Sequence, residues 1–559
     1  MEEQLWRACA DRKVEEVRKL LQNLQINPNI YSKYSTTPFY IACQKGHIEI
    51  VQLLLNDERV DINKANKDGQ TPFWIACYNG QTEIVQLLVN DQRGVDINKP
   101  NKKEATPFYV ACEKGHIKIV QLLLNDQKVD INKPNKKEAT PFYVACLKGY
   151  IEVVQLLLND ERVDINKVDN DGQTPFYITC ETGHIEVVKY LLESGGKIDI
   201  NKIKKDGQTP FYLACFYGNI EIVQLLLNDG RVDINKANKD DQTPFYIACQ
   251  RGHIEVVKYL LESGREIGIN KANKKEATPF SIACENGHIE IVKLLLGDNR
   301  IDVNNAEKDD WTPLYRACSG GQIEIVKLLL NDKRVEINKT DNSGRTTFFF
   351  VCEKGLHKIV KVFFDSPRTD LNFNKPNNSG ETPFWIACQN KYFLIVQWLL
   401  NNQRVDIEKT NNDGQTPFWI ACYQGHHQIV QFLLNHQKID INKEDNDGQT
   451  PFYIACQNEQ FRVIKLLLND QRVDINRANK YGITPFSAAC QEGRIGIVRY
   501  FLASGRTGYG QTAIDVAREK VETANESETG NEISNESEAK KRRVIELLKT
   551  LLNYATFLF

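Results

Sequence analysis

Cysteine is the residue type in this chain whose chemistry and spacing call for explanation first. A cysteine can form a disulfide, ligate a metal ion or act as a nucleophile. Metal ligands and catalytic partners must come together in a cluster, whereas the 15 cysteines here recur singly, 34 to 36 residues apart, along the chain. They are Cys9, Cys43, Cys77, Cys112, Cys146, Cys180, Cys215, Cys249, Cys284, Cys318, Cys352, Cys388, Cys422, Cys456 and Cys490.

This even spacing favours a structural role for the cysteines. Packed helices lie roughly 8–10 Å apart, but a disulfide needs Cα atoms within about 7 Å of each other. Equivalent cysteines in successive repeats therefore should not pair. The pattern predicts 15 buried, reduced thiols that act as small apolar side chains, and it favours a reducing compartment.

The other residues that could do chemistry form no catalytic pattern either. Most of the nine histidines follow a glycine at a repeated position, and the pair His426-His427 has no companion at metal-ligand spacing. No glycine-rich phosphate loop is present. Carboxylates such as Asp61, Asp96 and Asp130 recur once per repeat rather than as an acid–base pair. The sequence predicts a protein that is not an enzyme and that uses no metal and no cofactor.

Charge and hydropathy limit the kinds of partner. The chain has 71 basic and 73 acidic residues among 559, so no overall positive field points to nucleic acid or to an anionic membrane. No run of 18 apolar residues occurs, and the first residues lack an apolar signal core. We expect a monomer in the cytoplasm, with the nucleus as the alternative, and neither nucleic-acid binding nor membrane insertion.

The element that positions all these residues is a repeated stretch whose first complete copy is Thr37–Gln70. A period of this size is typical of stacked repeat proteins. The opening threonine recurs at Thr71, Thr106, Thr140, Thr174, Thr209, Thr243, Thr278, Thr312, Thr346, Thr382, Thr416, Thr450 and Thr484.

Each copy predicts two short helices. Thr71 is a good N-cap, Pro72 suits the first helical position, and Gly80 suits a left-handed stop. Apolar residues at helical spacing in 48–55 predict a second, antiparallel helix. Residues 60–63 then alternate as a short extended arm that leads to a hairpin turn.

The unit resembles the ankyrin repeat. Asp68-Gly69-Gln70-Thr71-Pro72, the Gly-His pairs and Asp61-Ile62-Asn63 follow that family's pattern, and they recur in phase through nearly the whole chain. The resemblance implies an all-α repeat solenoid of stacked helix-turn-helix units with β-hairpin or loop arms, in a curved, right-angled stack. It also implies a concave surface that binds other proteins.

The resemblance divides the chain into three parts. Residues 1–34 form an N-terminal capping repeat, 35–505 hold fourteen repeats, and 506–559 form a C-terminal capping repeat. A Glu-, Ser- and Asn-rich insertion at about 521–539 is predicted to be a disordered loop. The repeat at 346–381 is irregular, and we interpret it as a softer joint.

The family's histidine after Thr-Pro-Leu is replaced by an aromatic residue in most copies. We expect these rings to form a packed ladder, with their polar tips bonded, and a ligand-facing role is the alternative. They are Tyr40, Trp74, Tyr109, Tyr143, Tyr177, Tyr212, Tyr246, Tyr315, Phe349, Trp385, Trp419 and Tyr453, with Ser281 and Ser487 as exceptions.

Binding is expected where copies differ, directly after each cysteine. Tyr78, Phe216, Tyr217 and Tyr423 interrupt a mostly polar row, and exposed aromatic residues in a groove are natural anchors. The alternative is partial burial against the next repeat.

Two sets of basic residues are further candidates. Lys102-Lys103 and Lys136-Lys137 would make the hairpin tips of the early repeats mildly basic, although solubility is the alternative role. Lys540, Lys541, Arg542 and Arg543 match a nuclear import signal, or they are the polar lead-in to a capping helix. The sequence thus predicts a protein-binding scaffold, with a nuclear or regulatory adaptor as the alternative.

Overall fold

The protein is built of paired α-helices. The computed structural model describes residues 2–195, 197–503, 543, 544 and 546. Within those residues each repeat has two helices, and no β-strand forms. In most repeats the first helix, here called inner, packs more closely on the first helices of neighbouring repeats than the second helix, here called outer, packs on the neighbouring second helices. Contacts divide the chain into two compact units, Met1–Pro279 and Phe280–Phe559, here called unit 1 and unit 2. The predicted all-α repeat solenoid is confirmed.

The helices are numbered in chain order. The first sixteen are α1 (Glu2–Ala10), α2 (Val14–Leu21), α3 (Pro38–Lys45), α4 (Ile48–Leu55), α5 (Pro72–Tyr78), α6 (Thr82–Val89), α7 (Pro107–Lys114), α8 (Ile117–Leu124), α9 (Pro141–Lys148), α10 (Ile151–Leu158), α11 (Pro175–Thr182), α12 (Ile185–Glu193), α13 (Pro210–Tyr217), α14 (Ile220–Asn228), α15 (Pro244–Arg251) and α16 (Ile254–Glu262). The others are α17 (Pro279–Asn286), α18 (Ile289–Leu296), α19 (Pro313–Ser319), α20 (Ile323–Asn331), α21 (Thr347–Glu353), α22 (His357–Asp365), α23 (Pro383–Gln389), α24 (Phe393–Leu400), α25 (Pro417–Tyr423), α26 (His427–Leu434), α27 (Pro451–Gln457), α28 (Phe461–Asn469), α29 (Pro485–Gln491) and α30 (Ile495–Ala503).

The inner helices begin and end as the sequence predicts. In α3, the Thr37 hydroxyl accepts from the Tyr40 amide at 3.1 Å, and proline occupies the first helical position. Gly46 ends the helix with φ +78°, a conformation that glycine adopts without strain. The Thr-Pro dipeptide therefore fixes where each inner helix starts.

The core lies between the helix layers and between neighbouring repeats. Cys43 and Ala42 of α3 and Ile50, Val51 and Leu54 of α4 are fully buried, and equivalent residues are buried in the other repeats. Since two such short helices cannot enclose these side chains alone, stacking provides the missing walls.

All 15 cysteines are free and buried, as predicted. Burial raises their pKa, to about 12 for Cys9 and Cys490, because the thiolate loses solvation in the apolar interior. These thiols pack as small apolar groups.

The aromatic ladder is also buried, and its polar tips are bonded to the arm that leads into the next repeat. The Tyr40 hydroxyl donates to Gln70 Oε1 at 3.1 Å, and the Trp74 indole N–H donates to the Ala105 carbonyl at 2.8 Å. Core packing is therefore the role of these rings.

The arms differ from the prediction. The turn at each tip forms, as in the bond from the Gly69 amide to the Asn66 carbonyl at 3.0 Å. The extended strands do not form in the described residues, where the only bridge pairs Thr340 with Thr346. The alternation in 60–63 arises instead because Val60 and Ile62 are buried between repeats.

Side chains of asparagine join successive arms. Asn63 Oδ1 accepts from the Asp96 amide of the next repeat at 2.8 Å, while Asn63 Nδ2 donates to the Gly94 carbonyl at 3.2 Å. The same two-sided pattern recurs at Asn132 and Asn166, and we call this series the asparagine ladder. Only a side chain with both a donor and an acceptor can make it.

The irregular repeat at 346–381 is filled with aromatic side chains. Thr347 takes the place of proline, but Thr346 still caps the helix through the Phe349 amide at 3.1 Å. The Phe348 ring lies 4.8 Å from that of Phe373 and 5.4 Å from that of Phe363. A softer joint in this repeat stays a prediction.

Two residues other than glycine adopt the left-handed conformation at the end of an inner helix in unit 2. Lys391 has φ +65° and Glu459 has φ +56°, where other repeats have glycine. The segment predicted to carry the 521–539 insertion, and most of the C-terminal capping repeat, lie outside the described residues. No helix among the described residues is long and apolar enough to cross a membrane.

Candidate interaction surface

The position after each cysteine lies at the C-terminal end of an inner helix, and the next repeat fixes its backbone. His116 Nε2 lies 2.9 Å from the Tyr78 carbonyl, so this nitrogen carries the proton and donates. The same ring covers Gly80, where an added Cβ would lie 2.8 Å from it. The His184 ring bonds the Leu147 carbonyl in the same way. Because the backbone is held, the side chain at this position can vary without disturbing the stack.

Tyr78 is half-buried on α5. Its ring stacks on that of Trp74, with centroids 5.3 Å apart and planes 14° apart. The Lys114 ammonium of the next repeat lies 4.5 Å from the Tyr78 centroid. Tyr78 therefore presents a ring edge and a hydroxyl that neighbouring side chains already hold in place, and this lowers the entropy lost on binding a partner.

Phe216 and Tyr217 form a second aromatic pair at the end of α13. Their centroids lie 5.0 Å apart in an edge-to-face arrangement, and the Arg251 guanidinium lies 4.1 Å from the Phe216 centroid. Tyr217 is 47% exposed, and its hydroxyl lies 3.5 Å from Glu181 Oε1. Burial and this carboxylate raise the Tyr217 pKa.

Tyr423 repeats the Tyr78 arrangement in unit 2. It stacks on Trp419 at 5.6 Å and 9°, and it is 38% exposed. The preceding repeat has the same tryptophan, Trp385, but has Gln389 where tyrosine would be. These two repeats are therefore a natural matched pair for testing what the tyrosine adds.

The four predicted tip lysines are exposed but do not make a strongly basic surface. Lys102 and Lys103 precede Glu104, which is exposed, and Lys136 and Lys137 precede an equally exposed glutamate. Each tip thus carries two positive charges and one negative charge. Their backbones are ordered by a bond between neighbouring tips, from the Lys136 amide to the Lys103 carbonyl at 3.1 Å.

One polar cluster on the inner side of unit 2 was missed by sequence reasoning. Arg316 bonds Glu307 and Glu285, at 2.9 Å and 3.0 Å, and its guanidinium lies 4.7 Å from the Trp311 ring centroid. The Ser281 hydroxyl donates to Glu307 at 2.8 Å. The available signal was an arginine at a position that is apolar in the other repeats.

A second feature that was missed lies on the outer helices of unit 2. Leu394 occupies a position that is glutamate in most earlier repeats, and it is 50% exposed. Phe461, which starts α28, is 49% exposed. The loss of the repeated glutamate was the signal in the sequence.

Of the predicted import signal, Lys540, Lys541 and Arg542 lie outside the described residues, and Arg543 is exposed. Among the described residues, no three histidine, cysteine or acidic side chains are grouped so that they could hold a metal ion.

Comparison with known families agrees with this architecture. The family model described as ankyrin repeats (3 copies) matches the sequence in overlapping segments. They are residues 5–101, 54–135, 91–169, 108–203, 161–237, 196–271, 266–341, 333–411 and 395–479. No curated protein matches the chain closely enough to count as a relative.

The matched segments join into one continuous stretch that covers well over half of the chain, and this chain belongs to the ankyrin-repeat family. Ankyrin repeats are protein–protein interaction modules, and proteins built from them are generally non-catalytic. The residues that vary between copies are therefore the ones in which to look for partner recognition.

Proposed function

We propose that this protein is a non-catalytic scaffold or adaptor that binds partner proteins along the inner surface of its repeats. The observation that carries the proposal is the contrast within each repeat. Threonine, proline, cysteine and histidine have contacts that build the stack, whereas Tyr78, Phe216, Tyr217 and Tyr423 are partly exposed, and many other repeats stack with polar residues at the same positions.

The chemistry of these positions supports recognition of proteins. Tyrosine and tryptophan contribute large contact areas at low entropic cost, and they are enriched among the residues that dominate binding energy. Two of the aromatic sites lie beside a cation, Lys114 and Arg251. A partner segment with carboxylates or carbonyl oxygens near an apolar side chain would satisfy both.

Proximity labelling in the native cell tests the proposal. The test variant replaces each aromatic residue by one found at the same position in other repeats: Tyr78→Gln, Phe216→Gln, Tyr217→Lys and Tyr423→Gln. A matched control changes polar for polar at that position, with Glu113→Gln and Gln250→Glu.

We expect the test variant to lose labelled proteins that the wild type and the control retain. If all three chains label the same proteins, the inner aromatic residues are not the binding site.

As the alternative, we propose a nuclear or regulatory adaptor that uses the basic run Lys540–Arg543 and the Ser- and Glu-rich segment before it. The run itself is the observation that favours this function. Imaging a tagged chain with these four residues changed to alanine tests it: loss of nuclear signal supports import, and an unchanged distribution contradicts it.

A further inference from the structure

The outer helices change character along the chain. In unit 1, the second residue of most outer helices is glutamate: Glu49, Glu83, Glu152, Glu186, Glu221 and Glu255. In the last four outer helices of unit 2, α24, α26, α28 and α30, it is Leu394, Gln428, Arg462 and Gly496. No acidic residue remains in those four helices, but Arg462, Lys465 and Arg499 are exposed on them.

Apolar side chains are exposed on the same helices. Phe393 is 37% exposed, Leu394 50%, Phe461 49% and Tyr500 38%. Together with Arg462, Lys465 and Arg499, we call these residues the outer aromatic face. In unit 1 a glutamate instead stands beside the first, partly exposed residue of most outer helices; α8 is an exception, with Lys118 after Ile117.

The rings of this face lie against the protein rather than projecting from it. The Phe393 ring packs edge-to-face on Phe432 of the next outer helix, with centroids 5.4 Å apart. The Phe461 ring lies over Gly496, where an added Cβ would be 2.9 Å from the ring. The lack of a side chain at Gly496 thus leaves room for the edge of the Phe461 ring beside α30.

We propose that the outer aromatic face is a second docking surface, which binds an acidic amphipathic helix of a partner protein. Charge complementarity selects the acidic partner, since the face has three exposed basic residues and its four helices have no acidic one. Glu459, in the loop before α28, is paired with Arg494 at 3.1 Å.

Backbone hydrogen bonding selects a helix. The outer surface consists of helices whose own backbone groups are already bonded, so an extended peptide would find no backbone partners there. A helical partner satisfies its own backbone and needs only side-chain contacts. Phe393 and Phe461 lie two repeats apart, roughly 16–20 Å at ordinary helix spacing. Two apolar anchors about 11–13 residues apart on the partner helix would span that distance.

The packing of these two rings also favours a protein over a membrane. Aromatic residues that anchor a protein in a bilayer must enter the interface below the headgroups. The packed rings of Phe393 and Phe461 instead form a shallow surface, which suits a second layer of side chains. Binding to an anionic membrane is therefore the competing outcome that the test must exclude.

The test measures fluorescence anisotropy of a labelled peptide with the full chain. The peptide is a helix of about four turns, with glutamate on one face and two phenylalanines about 11 residues apart on the other. A second peptide has lysine in place of each glutamate, and vesicles of phosphatidylcholine and phosphatidylserine are the third probe. The chain variant is Leu394→Glu with Arg462→Glu, which restores the residue that unit 1 has at these positions, and Glu152→Gln is its matched control.

We expect the acidic peptide to bind the wild type and the control equally, and to bind the double variant about tenfold more weakly. Its affinity should also fall as salt is raised, because exposed charges contribute. Equal affinity for the double variant, or equal binding of the lysine peptide, would overturn the proposal. So would sedimentation of the wild type with vesicles in the absence of peptide binding. Circular dichroism of the double variant confirms folding, which its exposed, register-matched substitutions should preserve.

Discussion

The two units share one repeat but treat its exceptions differently. In unit 1 the asparagine ladder is continuous, and the aromatic ladder bonds into the next arm at almost every step. Unit 2 breaks the pattern at Ser281, Arg316 and Glu408 and at the irregular repeat. This contrast shows that the residue type at a stacking position depends on the side chains that it contacts in adjacent repeats. A departure from the pattern must therefore be compensated nearby, or it leaves a measurable cost.

The Arg316 cluster is a compensated departure. Ser281 stands where most repeats have an aromatic residue, and Arg316 stands where most other repeats have an apolar one. Glu307 stands at the arm position that Asn66 has in the first copy, which is not the position of the asparagine ladder. Each change alone would leave a buried group without its partner, but together they satisfy one another. A set of this kind is stable only as a whole.

The largest effect is therefore expected from Arg316→Ile. This change inserts the residue that several other repeats have, but it leaves the buried Glu307 carboxylate without its cation. Removing one partner of a buried ion pair costs about 3–5 kcal/mol. Equilibrium unfolding in guanidinium chloride, with hydrogen exchange of peptides from α17 to α20, should show a local loss of that size.

The control is the double variant Arg316→Ile with Glu307→Asn, which restores the common pair. It should recover most of the lost free energy of unfolding. If the single variant is as stable as the wild type, the cluster is only a solvated surface pair, and the distinction between the units is weaker than proposed.

A departure without full compensation lies at Glu408, which stands in the asparagine ladder. Its Oε1 accepts from the Asp440 amide at 3.2 Å, but a carboxylate has no N–H to donate to the neighbouring arm. Burial raises its pKa from 4.5 to about 7. The bond from the Asp440 amide and the charge of Lys443 oppose this shift, and the carboxylates of Asp440 and Asp406 add to it. Only the protonated acid can act as both donor and acceptor, as asparagine does.

The sign of the pH dependence follows from that pKa. Between pH 4.5 and about 7 the folded chain holds a proton at Glu408 that the unfolded chain has lost. The stability contributed by protonated Glu408 is therefore complete below pH 4.5, and it is lost as the pH rises to about 7. After allowance for partial exposure, the loss is about 1–2 kcal/mol. Glu408→Asn should raise the melting temperature at pH 8 and change it little at pH 5.

The reciprocal variant in unit 1 is Asn166→Glu. This variant should introduce the same pH dependence of stability in unit 1, whose asparagine ladder has no glutamate. Parallel melting curves of wild type and Glu408→Asn across this pH range would refute the account of this position.

A smaller effect is expected at Lys391, where a lysine occupies the left-handed position that glycine holds elsewhere. Lys391→Gly should stabilise unit 2 by about 1 kcal/mol, because the Cβ strain is removed. The opposite change in unit 1, Gly149→Lys, should cost more than that. Its Cβ would lie 2.5 Å from the His184 ring, so the ring would have to move as well. Chemical denaturation of both variants gives the two changes in the free energy of unfolding. A loss of stability in Lys391→Gly would contradict the assignment of strain to Lys391.

The smallest effect on stability is expected from Tyr423→Gln. The change removes a stacked ring worth about 0.5–1.5 kcal/mol, at a position that is partly exposed, and Gln389 shows that glutamine fits beside the same tryptophan. A shift in melting temperature of only a few degrees is the expected result. A large loss of stability would mean that Tyr423 is a core residue and not part of the proposed binding surface.

Much of the fold could be predicted from the sequence, because the ends of the helices carry threonine, proline and glycine, residue types that each have one main structural use there. Thr71, Pro72 and Gly80 predict the ends of their helix, and the spacing of Cys77 predicts its burial. The arms were predicted less well, since alternation in 60–63 has the period of a strand but arises from burial between neighbouring repeats. Periodicity alone does not distinguish these two causes.

The candidate sites were predicted only in part, because exposure depends on the neighbouring repeat. The positions of Tyr78 and Tyr423 could be predicted, but not their stacking on tryptophan. The Arg316 cluster and the outer aromatic face require knowing which residues of separate repeats meet, as at Phe461 and Gly496. Those contacts are visible only once the repeats are stacked.

We expect the constant residues to build the stack and the exceptions to bind partners. Hydrogen–deuterium exchange of the full chain, with and without a partner recovered by proximity labelling, tests this expectation most directly. We expect the partner to slow exchange at the C-terminal ends of α5, α13 or α25, or along α24 to α30, and to leave unchanged the repeats of unit 1 that carry glutamine or glutamate after the cysteine. Protection confined to those regular repeats would contradict it.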